Sequence, residues 1–316
     1  MGFTGSITRV GGGSSRRVVT HLWSGAHRDG TQAEGPAAVV VRNSRYYVLF
    51  QDASVDAHGR NGLGPDAATA GDLISTPPGK AAPSVLVNLA AFEAARNPDH
   101  GAGPGAKLGN PAIDSDPYAF VPYRGGFAVV DAAANDLLWL SPSGRLSVLA
   151  VFPTRREPLT KSEALRLGAP ASTTSIAVQA VPSSVAVGPD GALYVGELTG
   201  APFAPGSARV WRVVPGRKST VFASGLTTIS DLAFDGRSLL VLEIASKGLY
   251  APASSGALIR IAPGGDRKVV ASTGLVFPTG LAVAGNSIYI SNFGLFPARG
   301  AGKHGELVRL PRALAS

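Results

Sequence analysis

Seven oxygen-bearing side chains sit at matching places in a recurring pattern. Asp131, Glu197, Glu243 and Asn292 each follow a short apolar run, and Ser183, Asp231 and Thr279 each open one. Carboxylate and amide oxygens gathered at one mouth suit Ca²⁺ or Mg²⁺, hard cations that take oxygen ligands. Paired carboxylates can also trade protons as general acid and base. The same residue types have a plainer use, because Asp and Asn hold loops by accepting from nearby backbone N–H groups. Ligand contact and loop-holding are both open at this level.

Other chemistries are excluded by residue type. Without cysteine there is no disulfide, thiolate metal site or sulfur nucleophile. The five histidines, His21, His27, His58, His100 and His304, show no metal-ligand spacing and read as solvated loop residues. No G-x-S-x-G elbow and no phosphate-binding P-loop is present. The formal charge is +8, yet the basic residues are mostly scattered, with Arg16-Arg17 and Arg155-Arg156 adjacent. Aromatic residues make up 7% and do not interleave with arginine as a base-stacking groove requires, so no nucleic-acid partner is expected. No apolar run approaches the ~20 residues of a membrane span, and Met1 to Gly5 lead into strand-like sequence without a signal peptide.

The elements that must position these residues are strands. Across 316 residues there are 40 glycines and 24 prolines, which points to many short strands joined by tight turns. A unit recurs with Val185, Leu232 and Leu281 in equivalent places, 47 and then 49 residues apart. Each copy holds a hairpin turning at Gly188-Pro189-Asp190-Gly191, Asp235-Gly236 or Gly285-Asn286, where Gly, Asn and Asp supply the positive φ that short hairpins need. A second hairpin turns at Pro215-Gly216 and at Pro263-Gly264-Gly265. Four antiparallel strands, A to D, with this period make one blade of a β-propeller.

Earlier copies are looser. The expected blades cover 35–90, 116–153, 181–226, 229–275 and 277–311, with 1–22 as the outer half of a first blade. This predicts an all-β, single-domain, six-bladed propeller with about five and a half blades present. The opening half-blade and a last blade ending after strand C suggest that an inner hairpin precedes Met1 in a longer form. Short helices are expected at Ala90–Arg96 and Lys161–Leu167, in D–A connections.

Val178 to Gly200, Ala208 to Val213, Asn88 to Glu93, Phe277 to Val283 and Thr4 to Val10 together resemble the ScyD/ScyE family, with a likeness running along the whole chain. The resemblance implies a six-bladed propeller that is exported, with a signal peptide and an inner hairpin ahead of this start. Most members have no assigned reaction. Ala37-Ala38 follow Gly35-Pro36 where the family pattern places His and Asp, so any function resting on those polar groups is in doubt here.

All the long connections, 52–71, 90–116, 152–181, 198–207, 245–256 and 293–305, are of the B–C or D–A kind and therefore share one end of the blades. Long loops on a rigid scaffold are where binding concentrates. Phe203, Phe293 and Phe296, beside Pro202 and Pro297, either rim a ligand or pin those loops. The expectation is a secreted, non-catalytic propeller binding a small molecule, glycan or protein at this end, with no membrane span. The alternative is a divalent-metal hydrolase or lactonase like the gluconolactonase-type propellers, with Ca²⁺ as the candidate cofactor.

Overall fold

The structure, a computed structural model, describes residues 2–11, 13–26, 33–51, 67–102, 113–252, 255–295 and 305–315. It is all-β, a six-bladed β-propeller, and falls into two compact units, residues 1–151 and 152–316.

In the first unit, β1 (Gly2–Gly11) and β2 (Ser14–Ala26) form a long hairpin, extended by β3 (Ala33–Glu34). The second sheet is β4 (Pro36–Arg42), β5 (Arg45–Phe50), β6 (Asp72–Thr76) and β8 (Ser84–Asn88), in that order. Its C–D turn carries β7 (Gly79–Lys80), which pairs in parallel with β2. Helix α1 (Leu89–Arg96) follows, its first turn held by the Asn88 side chain accepting from Ala91 N. The third sheet is a meander of β9 (Pro117–Tyr123), β10 (Gly126–Asp131), β11 (Asp136–Leu140) and β12 (Leu146–Val151).

In the second unit, β13 (Arg155–Pro158) and β14 (Ser175–Val178) form a two-stranded ribbon around helix α2 (Lys161–Arg166). The ribbon is a correction to the plain connection expected there: Arg155 to Pro158 pair with Ser175 to Val178 although neither run is strongly apolar. A four-stranded blade follows: β15 (Pro182–Val187), β16 (Leu193–Glu197), β17 (Ala208–Val213), β18 (Thr220–Leu226). The next is β19 (Ile229–Asp235), β20 (Ser238–Glu243), β21 (Ala257–Ile261), β22 (Arg267–Ala271). The last sheet has three strands, β23 (Gly280–Ala284), β24 (Ser287–Asn292) and β25 (Glu306–Pro311).

Burial explains why the B strands read as continuous apolar runs. Every residue of β10, β16 and β20 is buried, whereas the D strands β12 and β22 have no buried residue. A strand packed on both faces shows no alternation. In the second unit Tyr194 meets Phe222 of its own blade and Phe234 of the next edge-on at 4.9 Å each, and the Phe234 contact packs the two four-stranded blades together.

Candidate functional site

Asp131, Glu197, Glu243 and Asn292 are the last residues of strands β10, β16, β20 and β24, and all four are buried. In three of them the oxygen reaches back to the connection entering strand A of the same sheet. Asp131 Oδ1 accepts from Asp116 N at 2.7 Å, Glu243 Oε1 from Thr227 N at 2.7 Å and Asn292 Oδ1 from Val276 N at 2.7 Å. The donor precedes its acceptor by 15, 16 and 16 positions respectively, so the contact repeats with the blade. Asp131 adds bonds from Ser115 Oγ at 2.6 Å and Ala134 N at 3.2 Å. Asn292 Nδ2 donates to Gly274 O at 2.9 Å.

Gln51 is a further copy that sequence reasoning missed: its Nε2 donates to Ala33 O at 2.9 Å. The signal was its place directly after the apolar run Tyr46–Phe50, obscured because glutamine is neither a carboxylate nor a turn residue.

Glu197 departs from the pattern. Its carboxylate is fully buried and its Oε1 accepts from Arg155 Nη1 at 2.9 Å and from Trp211 Nε1 at 2.6 Å. Arg155 stands on β13 and also donates Nη2 to Ser207 O at 2.8 Å. Burial raises the Glu197 pKa above the usual carboxylate value, with the Arg155 charge opposing.

At the start of strand A, Ser183, Ser230 and Asp231 fasten one blade to the next. Ser183 Oγ donates to Ile229 O at 2.6 Å, and Ser230 Oγ repeats this toward Pro278 O at 2.9 Å. Ser230 therefore shares the role of Ser183, although Asp231 looked like its sequence match. Asp231 accepts from Leu232 N at 2.8 Å and from Leu281 N at 2.7 Å in the following sheet. Burial pushes the Asp231 pKa up to about 7, against those two N–H groups. Thr279 is half-buried, and its N donates to Ser291 O at 3.0 Å. Asp231→Ala is expected to cost about 1–3 kcal/mol, since it strands two N–H groups. Urea unfolding checks this; an unchanged midpoint would show that the link between blades is idle.

Among the described residues, no group of three or more His, Asp or Glu side chains is placed to hold a metal ion. His21 and His100 are exposed, while His27, His58 and His304 lie outside the described residues, as do Phe296 and Pro297.

The long-connection end of the second unit instead carries a cleft of about 340 Å³. It is built from α2, the β16–β17 loop and the β20–β21 loop. Helix α2 starts from a capping box, with Thr160 Oγ1 accepting from Glu163 N and Glu163 Oε2 accepting from Thr160 N. Those bonds from Thr160 hold the Glu163 pKa below its usual value. Arg166, in the last turn, lies 5.2 Å over the Tyr250 ring and donates to Tyr250 O at 3.1 Å. Phe203 meets Tyr250 edge-on at 5.1 Å and so ties two successive loops together. Gly248, at φ +87°, lets that approach happen, since a Cβ there would stand 2.5 Å from Phe203 O. Pro202, Pro205 and Pro252 line the remainder with Lys247.

No protein-family model and no curated protein matches the sequence. Among solved structures, the chain is similar to one in the crystal structure of a nidogen/laminin complex, at TM-score 0.51 and 12% identity, over 100% of this chain and 89% of that one. It is similar to the PQQ-bound aldose sugar dehydrogenase of Streptomyces coelicolor at TM-score 0.54 and 12% identity, over 97% and 87%. Virginiamycin B lyase from Staphylococcus aureus aligns at TM-score 0.45 and 13% identity, over 92% and 88%. At these identities the likeness to the first two shows the fold alone, and that fold hosts unrelated functions.

Proposed function

We propose that this chain is a ScyD/ScyE-type binding propeller, exported in its full-length form, which captures a small molecule or glycan at its long-connection end without transforming it. The observation that carries the reading is the cleft of α2, Phe203 and Tyr250. There aromatic and proline surface stands beside Glu163, Arg166 and Lys247, on loops locked to one another. An apolar wall with a few placed polar groups is the ordinary construction of a small-molecule site.

The recurring polar residues support the same reading from the other side. The oxygens of Asp131, Glu243 and Asn292 accept backbone N–H bonds within their own blades, which is scaffold work. The family assignment rests on the segments Val178–Gly200 and Phe277–Val283, and export follows from that resemblance.

The test is a thermal-shift screen of mono- and oligosaccharides and small aromatic compounds against the full chain. A compound that raises the midpoint is expected to lose its effect in Tyr250→Ala, measured against that variant's own unliganded midpoint; the residue is 42% exposed. Cation-dependent turnover of a lactone panel, unaffected by Tyr250→Ala, would overturn the reading in favour of a metal hydrolase.

A further inference from the structure

The blades of the second unit share a buried-strand architecture but differ in how they neutralise one arginine. Tyr194, Leu240 and Tyr289 hold equivalent places on strand B, and their partners across the sheet are Arg212, Arg260 and Arg309 on strand C. Arg212 is neutralised within its own blade, where Asp190 of the A–B turn accepts from its Nε at 2.8 Å and its Nη2 at 2.7 Å. Arg309 donates Nε to Ser287 Oγ at 2.8 Å. Arg260 has neither arrangement. The carboxylate of its own blade, Asp235, is taken by Arg312 through both Nε and Nη2.

Arg260 and Arg237 consequently face one cavity of about 760 Å³ with no acidic partner among the described residues. Ser238 and Asn286 line the same cavity, and Ser238 is the register equivalent of Ser287, the hydroxyl that Arg309 uses. The cavity lies beside the A–B turns of two consecutive sheets, at the opposite end of the strands from the B–C loops.

The geometry points to an oxyanion site here: Arg260 and Arg237, with Ser238 and Asn286 as neutral hydrogen-bonding groups, receive the phosphate or sulfate group of a small ester. Guanidinium forks match the oxygens of such groups in pairs, and those bonds are the strong, charge-assisted kind. Two like charges in one concavity repel unless an anion stands between them. Asp235 and Arg312 line the same cavity, but they are bonded to each other, so the charges of Arg260 and Arg237 stay unmatched and the lining is net positive. The volume is in the range that holds a whole small molecule, so the oxyanion can be one end of a larger ligand.

Isothermal titration of inorganic phosphate and, separately, of sulfate into the full chain at low ionic strength tests this. Saturable one-site binding is expected, weakened about tenfold by Arg260→Gln, which removes one charge-assisted fork. Arg237→Gln, at an exposed turn position with little bearing on folding, is expected to weaken it as well. Arg212→Gln, outside the cavity, should leave it unchanged. A preference for phosphate assigns the ligand to phosphate esters, and the reverse preference to sulfate esters. Absence of saturable heat with both anions, or binding indifferent to both Arg260→Gln and Arg237→Gln, overturns the proposal.

Discussion

Asp136→Asn is expected to raise the thermal midpoint at about pH 8 and to flatten the fall in stability between about pH 5 and pH 8. In the first unit Asp136 and Glu93 are both buried, and none of their four carboxylate oxygens has a hydrogen-bond partner among the described residues. Asp136 pairs across the sheet with Asp131, and its neighbour Asn135 donates to Asp99 Oδ2 at 2.9 Å, which draws the acids of three segments together. Burial pushes the Glu93 pKa up to about 8, with Asp131, Asp99 and Asp114 adding repulsion. Burial likewise raises Asp136 well above its ordinary value, and Asp131 to about 7.

These acids bind protons more tightly folded than unfolded. Glu93 titrates near 4.5 in an unfolded chain and near about 8 in the folded one. Between those values the native state carries the extra proton, so its contribution is fully present below about 4.5 and is lost as pH rises through about 8. A tenfold change in proton affinity corresponds to about 1.4 kcal/mol, and removing one charge from the cluster should return ~2 kcal/mol or more at about pH 8. Thermal unfolding of wild type and Asp136→Asn at both pH values decides it. A wild-type midpoint that is level across this range, with no gain in the variant, would mean that the cluster is neutralised by other means.

The second large effect is expected at Arg155. Removing one partner of a buried ion pair leaves the other charge desolvated, which costs about 3–5 kcal/mol. Glu197 is fully buried, and among the described residues Arg155→Ala leaves it only the Trp211 indole N–H at 2.6 Å. The loss should shrink as pH falls, because burial raises the Glu197 pKa and a carboxylate without Arg155 takes up a proton more readily. Adding Glu197→Gln to Arg155→Ala should recover part of the stability at about pH 8, because no buried charge then remains unpaired. Denaturant unfolding of the single and double variants measures this. A double variant no more stable than Arg155→Ala would assign the loss to packing and to the Ser207 carbonyl that Arg155 also serves.

What the sequence determined by itself was the blade. Turn residues at Asp235-Gly236 and Gly285-Asn286, the 47- and 49-residue spacings and the apolar runs of strand B are local or periodic signals. They lead to the same strands in the structure, because hairpin geometry depends on nearby residues. Both short helices were legible as well, and each begins at a capping side chain close in sequence, Asn88 or Thr160.

The partners of the polar side chains were decided only by tertiary structure. Glu197, Glu243 and Asn292 look alike in the repeat, yet Glu197 meets Arg155, 42 residues away, while the other two reach backbone 16 positions off. Arg212 and Arg260 are likewise equivalent in register. One is paired with the aspartate of its own turn, and the other faces a cavity because Arg312 has drawn Asp235 away. Repetition dictates where a side chain starts. What it meets depends on the neighbouring blade and the long connections, whose approach no local pattern encodes.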